Sequence, residues 1–293
     1  MRIASNKLQD IIAFYTSELS SVYNSNELTS VLQQVLKHYL GYSSADIITK
    51  KNENLNQSDV LKLYDCCLDL KKNNPLQYIL GETFFYGMYF KVNSSVLIPR
   101  PETEELVELI LNDCKSLNET TIDILDIGTG SGCIPVVLKK NLPDANVSAV
   151  DVSQEALVVA QRNSQLNKTP ILFTCTDILK SDAEYILDSY DIIVSNPPYI
   201  AKNEANQMQE RVKNNEPSIA LFVEDTNATI FYKRIIGLCT KHLNQGGKLY
   251  FELNPLFADE VKKIAESSNL FSEIKLMNDL SGNTRFLRAI KHD

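Results

Sequence analysis

The run Asp191 to Ile200, DIIVSNPPYI, places an amide, two prolines and an aromatic ring at the end of an apolar segment. Ile192 to Ser195 have the small or apolar character of a strand buried on both faces. That strand must stop at Asn196-Pro197-Pro198-Tyr199, because neither proline can donate a backbone hydrogen bond and each confines the residue before it to extended geometry. The Asn196 amide is thereby held at the carboxyl end of a central strand, beside backbone carbonyls that no neighbouring strand can claim. Fixed acceptors next to a flat ring suit the recognition of a planar amide-like group. Read alone, the same four residues are equally an ordinary strand-ending turn. A second motif decides between the two.

Ile122 to Asp126 reads as a strand running into Ile127-Gly128-Thr129-Gly130-Ser131-Gly132, with a helix starting near Ile134. Glycines there permit a tight turn and let a ligand approach the backbone. Asp151 ends the following strand, where a carboxylate can accept hydrogen bonds from ribose hydroxyls. The combination predicts a nucleoside-bearing cofactor. The spacing is GxGxG rather than the dinucleotide GxGxxG, which disfavours a dehydrogenase, and no Lys-Ser/Thr follows to make a phosphate-binding P-loop. Asp126 beside the loop suits a cationic amino-acid head better than a pyrophosphate. S-adenosyl-L-methionine, with its amine, carboxylate, sulfonium and ribose, matches this set. Asp177 is then expected near the adenine amino group and Ile178 on the face of the base.

The elements that must carry these motifs alternate. Strands are expected at about 122–126, 146–150, 171–174, 191–195 and 247–253, with helices between them, which calls for a parallel sheet covered on both faces. Phe271 to Met277 and Arg285 to Ile290 read as a closing hairpin, adding an antiparallel strand. The fold class expected is α/β: a Rossmann-like, mostly parallel sheet of seven strands with a C-terminal antiparallel hairpin, plus a small N-terminal helical bundle. Residues 1–75 show three amphipathic helical faces, with Asn26 and Ser58 expected as N-caps and Gly41 as a stop. They form either a partner-recognition domain or an ancillary folding unit. Residues 76–99 read as an aromatic-rich β-hairpin linker, and 100–293 as the catalytic domain, opened by a helix at Arg100-Pro101-Glu102.

Composition narrows the function. No segment has the apolar length to span a bilayer, and the N-terminus lacks a secretion-signal layout, so no membrane association is expected. The six cysteines form no CxxC pair and the three histidines are scattered; reduced thiols, a cytoplasmic location and no metal are expected. Residues 1–75 hold eight Lys/Arg against eight Asp/Glu, so the whole net charge of −8 falls on the remainder. An acidic catalytic part is poorly suited to direct nucleic-acid binding, where neutralised phosphates supply much of the affinity. A protein partner is the better match, and a monomer is the default expectation.

At this point the chain resembles a class I S-adenosylmethionine-dependent methyltransferase, and most closely the protein-(glutamine-N5) methyltransferases that modify peptide chain release factors. The likeness runs through PLQYILG, VLIPRPETEELV, DIGTGSGCI, SNPPYI, Glu216-Pro217 with Ala220-Leu221, and SGNTRF. SNPPYI is shared with DNA adenine-N6 methyltransferases and ribosomal-protein glutamine methyltransferases; the IPRPETE element and the helical N-terminal part favour release factors. The resemblance implies cofactor contacts at Gly128, Thr129, Gly130, Ser131, Gly132, Asp151, Ile178 and Asn196, and substrate contacts at Asn196, Pro197, Pro198 and Tyr199. It implies that the acceptor is the glutamine of a Gly-Gly-Gln motif. Relatives often carry an aromatic residue where Ile178 stands, which is expected to weaken stacking on the base. Asn196, the Pro197 carbonyl and the Tyr199 ring are the expected catalytic set, with residues 201–225 expected as a loop over the site. Remaining alternatives are a ribosomal-protein glutamine or nucleic-acid adenine-N6 methyltransferase, and a non-catalytic scaffold that keeps the cofactor fold.

Overall fold

A computed structural model describes residues 3–115, 121–180, 188–201, 210–223 and 228–293. The chain divides into two compact units, one of Met1–Gly81 with Gln209–Asn215 and one of Glu82–Met208 with Glu216–Asp293.

The helical unit contains α1 (Leu8–Leu19), α2 (Ser25–Leu40), α3 (Ser44–Thr49), α4 (Gln57–Lys71) and α5 (Leu76–Leu80). Leu8, Ile11, Tyr15, Leu36, Leu63 and Leu70 are fully buried in its core, and the Tyr15 hydroxyl donates to the Leu63 carbonyl at 2.6 Å. The caps differ from expectation. Asn24, not Asn26, caps α2: its side chain accepts from the Asn26 and Glu27 amides while Glu27 reaches back to the Asn24 amide. Asn56, not Ser58, caps α4 by accepting from the Asp59 amide at 2.9 Å. In both helices an acid three residues after the asparagine favours the earlier start. Where the sequence ends the helical part at residue 75, Pro75 instead caps α5, and the unit closes at Gly81.

The second unit opens with β1 (Glu82–Phe85) and β2 (Met88–Lys91), an antiparallel hairpin. It continues with α6 (Pro101–Cys114), β3 (Asp123–Ile127), α7 (Cys133–Asn141), β4 (Asn146–Asp151), α8 (Gln154–Asn167), β5 (Leu172–Cys175), β6 (Tyr190–Ser195) and β7 (Ile200–Ala201). After α9 (Glu210–Asn215), which belongs to the helical unit, come α10 (Ser218–Leu221), β8 (Phe222–Val223), α11 (Ile230–His242), β9 (Leu243–Glu252), α12 (Ala258–Ser267), β10 (Phe271–Asn278) and β11 (Thr284–Lys291).

The main sheet has seven strands in the order β10-β11-β9-β6-β3-β4-β5. Its ladders are parallel from β9 through β6, β3 and β4 to β5, and antiparallel on both sides of β11. The α/β fold with a C-terminal antiparallel hairpin is therefore as expected, with β11 inserted between β9 and β10. One apolar layer packs α11 and α12 on the sheet through Ile235, Leu238 and Val261. Another packs α6 and α7 through Leu106, Ile110, Val136 and Val137. From β3 the order runs one way to β4 and β5, and from β6 the other way to β9. The crevice between the carboxyl ends of β3 and β6 is thus a topological switch point, where open α/β sheets bind ligands.

Residues 201–225 are not simply a loop: their described part holds α9, α10 and a short parallel pairing of β7 with β8. Residues 202–209 and 224–225 lie outside the described residues. Five of the six cysteines are buried and Cys175 is exposed. Among the described residues no helix is long and apolar enough to cross a membrane, and no group of three His, Cys, Asp or Glu side chains could hold a metal.

Candidate active site

The crevice at the switch point holds a cavity of about 350 Å³, lined among others by Gly128, Thr129, Gly130, Ser131, Asp151, Asp177, Ile178, Asn196, Pro197 and Pro198. The two sequence motifs meet there because their strands are neighbours, with Ile127 opposite Ser195 in the parallel ladder. The Ser195 hydroxyl reinforces that junction by donating to the Ile127 carbonyl at 2.7 Å.

The glycine loop is shaped by backbone geometry. Gly128, Gly130 and Gly132 have φ of 77°, 53° and 77°, values that burden any residue with a Cβ. A Cβ on Gly128 or Gly130 would meet nothing within 4 Å, so these two leave open space for a ligand beside the main chain. Gly132 differs. A Cβ there would lie 3.0 Å from the Ala160 Cβ, so this glycine permits close packing of the loop on α8. It does not line the cavity.

Two side chains fix the loop. Asp151 at the end of β4 accepts from the Gly130 amide at 2.8 Å and from the Ser153 amide at 2.9 Å. Burial raises its pKa, and these backbone donors act in the opposite sense. Asn163, fully buried on α8, donates to the Ser131 carbonyl at 2.8 Å and clasps the backbone of Lys91, accepting from its amide and donating to its carbonyl. It ties loop and hairpin together, and no pattern in the sequence marks it for that role.

Asp126 is fully buried at the root of the loop, and neither of its carboxylate oxygens has a hydrogen-bond partner among the described residues. The Thr129 hydroxyl also falls outside hydrogen-bonding geometry, yet it is near enough to Asp126 to act against the effect of burial on that carboxyl. Burial pushes the Asp126 carboxyl up to about 7. An unpartnered buried carboxyl is costly, and a cationic group placed beside it relieves that cost.

At the other wall, Asn196 Nδ2 donates to Thr103 Oγ1 at 3.3 Å, and Asn196 Oδ1 makes no hydrogen bond to the described residues. Thr103 Oγ1 donates to Glu252 Oε2 at 2.7 Å, and the Tyr199 hydroxyl donates to Glu252 Oε1 at 3.3 Å. Glu252 is 2% exposed and Thr103 3%. Burial raises the Glu252 pKa and holds the Tyr199 phenol protonated. The Tyr199 ring packs against the apolar core rather than lining the cavity. Arg100 also lines the cavity and pairs with the buried Glu216, Nη2 to Oε1 at 2.7 Å; the other Glu216 oxygen accepts from the Ile98 amide. That pairing pins the start of α10, which adds Ile219 and Ala220 to the lining.

Sequence reasoning missed Thr103, Glu252 and Asn163. Glu252 was findable as the lone acid within the apolar run LYFEL of a central strand. Thr103 lies inside the IPRPETE stretch without an obvious task.

Two family models match the chain: the methyltransferase small domain over residues 106–218 and the PrmC N-terminal domain over 10–81. The release factor glutamine methyltransferase of Flavobacterium psychrophilum is 40% identical over 276 residues, covering 94% of this chain and 96% of that one. That of Bacteroides thetaiotaomicron is 39% identical, covering 95% and 98%. Among solved structures, a methyltransferase from Pyrococcus furiosus matches with a TM-score of 0.51 at 18% identity, covering 71% of this chain and 91% of that one, a likeness of fold alone.

Proposed function

This chain belongs to the release factor glutamine methyltransferase family, and from that premise we propose that it transfers a methyl group from S-adenosyl-L-methionine to the side-chain amide nitrogen of the glutamine in the Gly-Gly-Gln motif of peptide chain release factors, in the cytoplasm. One observation carries the reading: the uncommitted Asn196 oxygen and the Pro197-Pro198 turn share one cavity with the glycine loop and Asp151.

The residues present fit the cofactor. The buried, unpartnered Asp126 carboxyl calls for a cation nearby, and the open space beside Gly128 and Gly130 admits a ligand against the backbone. Gly128 to Ser131 would hold the amino-acid end, with Gly132 setting the loop on α8. Asp151 would accept from the ribose hydroxyls while it holds the Gly130 amide. Ile178, with Asp177 beside it, would cover the adenine. Asn196 would touch both the cofactor and the acceptor. The cofactor supplies a methyl group on a sulfonium, which departs as a neutral thioether and needs no acid.

A glutamine amide nitrogen is a weak nucleophile because its lone pair is delocalised into the carbonyl. Asn196 Oδ1 would accept one N–H and the Pro197 carbonyl the other, aiming the nitrogen and stabilising the positive charge that develops on it. Pro198 stiffens the turn, and Tyr199 anchors it through its phenol on Glu252. The nitrogen can lose its proton after transfer, so no dedicated base is required. The helical unit is proposed to recognise the protein partner.

The test is transfer of labelled methyl to purified release factor, beside the same factor with its Gly-Gly-Gln glutamine changed to alanine, a ribosomal-protein fraction and DNA. Label on the intact factor alone supports the reading. Label on the ribosomal fraction or DNA keeps the amide-holding chemistry and overturns the substrate.

A further inference from the structure

An asparagine amide is nearly symmetric in shape: turning it by half a rotation exchanges oxygen and nitrogen at little steric cost. For the reaction proposed above the difference is decisive, since a nitrogen facing the acceptor would set donor against donor. Some neighbour must choose the orientation.

Asn196 Nδ2 lies 3.3 Å from Thr103 Oγ1. A threonine hydroxyl both donates and accepts, so Thr103 alone would not choose. Its single proton, however, is committed to Glu252 Oε2 at 2.7 Å, the shorter of its two contacts. As a carboxylate Glu252 has no proton to return: one oxygen accepts from Thr103 and the other from the Tyr199 hydroxyl. These two bonds, with the charge of Arg285, oppose the upward push of burial on its pKa. With its proton spent, Thr103 can only accept, and what faces it must be a donor. Thr103 and Glu252 are both buried, so water is poorly placed to replace either bond. The Glu252 main chain is fixed as well, since its carbonyl accepts from the buried Tyr232 hydroxyl at 3.0 Å.

We infer that Thr103 and Glu252 form a one-way hydrogen-bond relay that sets the polarity of the Asn196 amide, holding Oδ1 toward the acceptor glutamine. Thr103 is a positioning residue, and the inference rests on the reaction proposed above. The relay joins the first turn of α6, the end of β6 and the end of β9, so the strand carrying Glu252 reaches the reaction through two hydrogen bonds rather than by contact.

The experiment uses the full chain, with purified release factor as methyl acceptor. Thr103→Val keeps the shape and removes the hydroxyl; kcat should fall about tenfold or more, with cofactor Kd within about threefold of wild type because Asn196 is only one of several groups proposed to hold the cofactor. Thr103→Ser, which restores the hydroxyl, should recover kcat to within about threefold. Thr103→Ala is the second variant, without a new methyl against Glu252, and should show the same loss as Thr103→Val. In an Asn196→Ala background Thr103→Val should cost nothing further, since the relay acts only through that amide. The inference is overturned by a Thr103→Val kcat within about twofold of wild type, by losses that add to those of Asn196→Ala, or by a Thr103→Ser as impaired as Thr103→Val. A wild-type chain that methylates no release factor overturns the reaction itself, a failure separate from that of the relay.

Discussion

Placing a methyl group on Gly132 separates the two tasks of the glycine loop. In Gly132→Ala the new Cβ would sit 3.0 Å from the Ala160 Cβ and 3.2 Å from its Cα, and the backbone of α8 cannot yield as a flexible side chain would. Two costs add: about 1–2 kcal/mol for a Cβ at a left-handed φ and about 1–3 kcal/mol for overpacking. Gly128→Ala meets the same φ of 77° but nothing within 4 Å, so only the first cost, about 1–2 kcal/mol, applies. Its methyl occupies ligand space instead. Native-state hydrogen exchange at the β3 and α7 amides of the cofactor-free chain measures the stability of this unit, and calorimetric titration measures cofactor affinity. Gly132→Ala should lose more stability than Gly128→Ala by about 1–3 kcal/mol, and Ala160→Gly, which removes the 3.0 Å contact but not the one to Cα, should restore part of that difference when referred to Ala160→Gly alone. Gly128→Ala should lose affinity, by about tenfold, with the smaller loss of stability. Equal losses of stability, or no rescue by Ala160→Gly, would refute the steric account of the loop.

Three further outcomes follow from the same geometry. Burial pushes Asp126 up to about 7, so the folded chain keeps a proton that the unfolded chain releases near pH 4. That contribution is full below pH 4 and is lost as pH rises toward 7, by up to about 4 kcal/mol; the stability of wild type relative to Asp126→Asn, followed by denaturant titration of the cofactor-free protein, should fall across this window. Asn163→Ala leaves the Lys91 amide and carbonyl and the Ser131 carbonyl without their side-chain partner. It should destabilise the unit by about 2–5 kcal/mol and weaken cofactor binding, as thermal unfolding with and without cofactor would record. Removing residues 1–75 should lower kcat/KM on intact release factor by about tenfold or more while sparing a short Gly-Gly-Gln peptide; equal effects on both would argue against partner recognition by the helical unit.

The parts of the site that are continuous in sequence were legible in it. Asn196-Pro197-Pro198 and the GxGxG loop each carry their own stop signals, and alternating strands and helices dictate that both sit at carboxyl strand ends. The rest depends on distance along the chain. Thr103 and Glu252 are 149 residues apart and meet because α6 packs on the sheet in one apolar layer with Tyr250 of β9, an arrangement that local periodicity does not encode. Asn163 is likewise an ordinary polar helical residue until folding brings the Lys91 backbone onto it. The Tyr199 ring could be read as a wall for the substrate only so long as the partner of its hydroxyl was unknown. The early caps at Asn24 and Asn56 follow from a local rule, the acid three residues on, that outweighs the later polar residues.

The central claim is that Asn196 holds the acceptor amide rather than the cofactor alone. Its most direct test is single-turnover methyl transfer to release factor by Asn196→Ala, with cofactor Kd measured on the same sample. The account predicts a rate reduced by about 100-fold or more, since a fixed acceptor for developing charge is lost, with Kd within a few-fold of wild type. A rate near wild type, or a loss of rate matched by an equal loss of cofactor affinity, would contradict it.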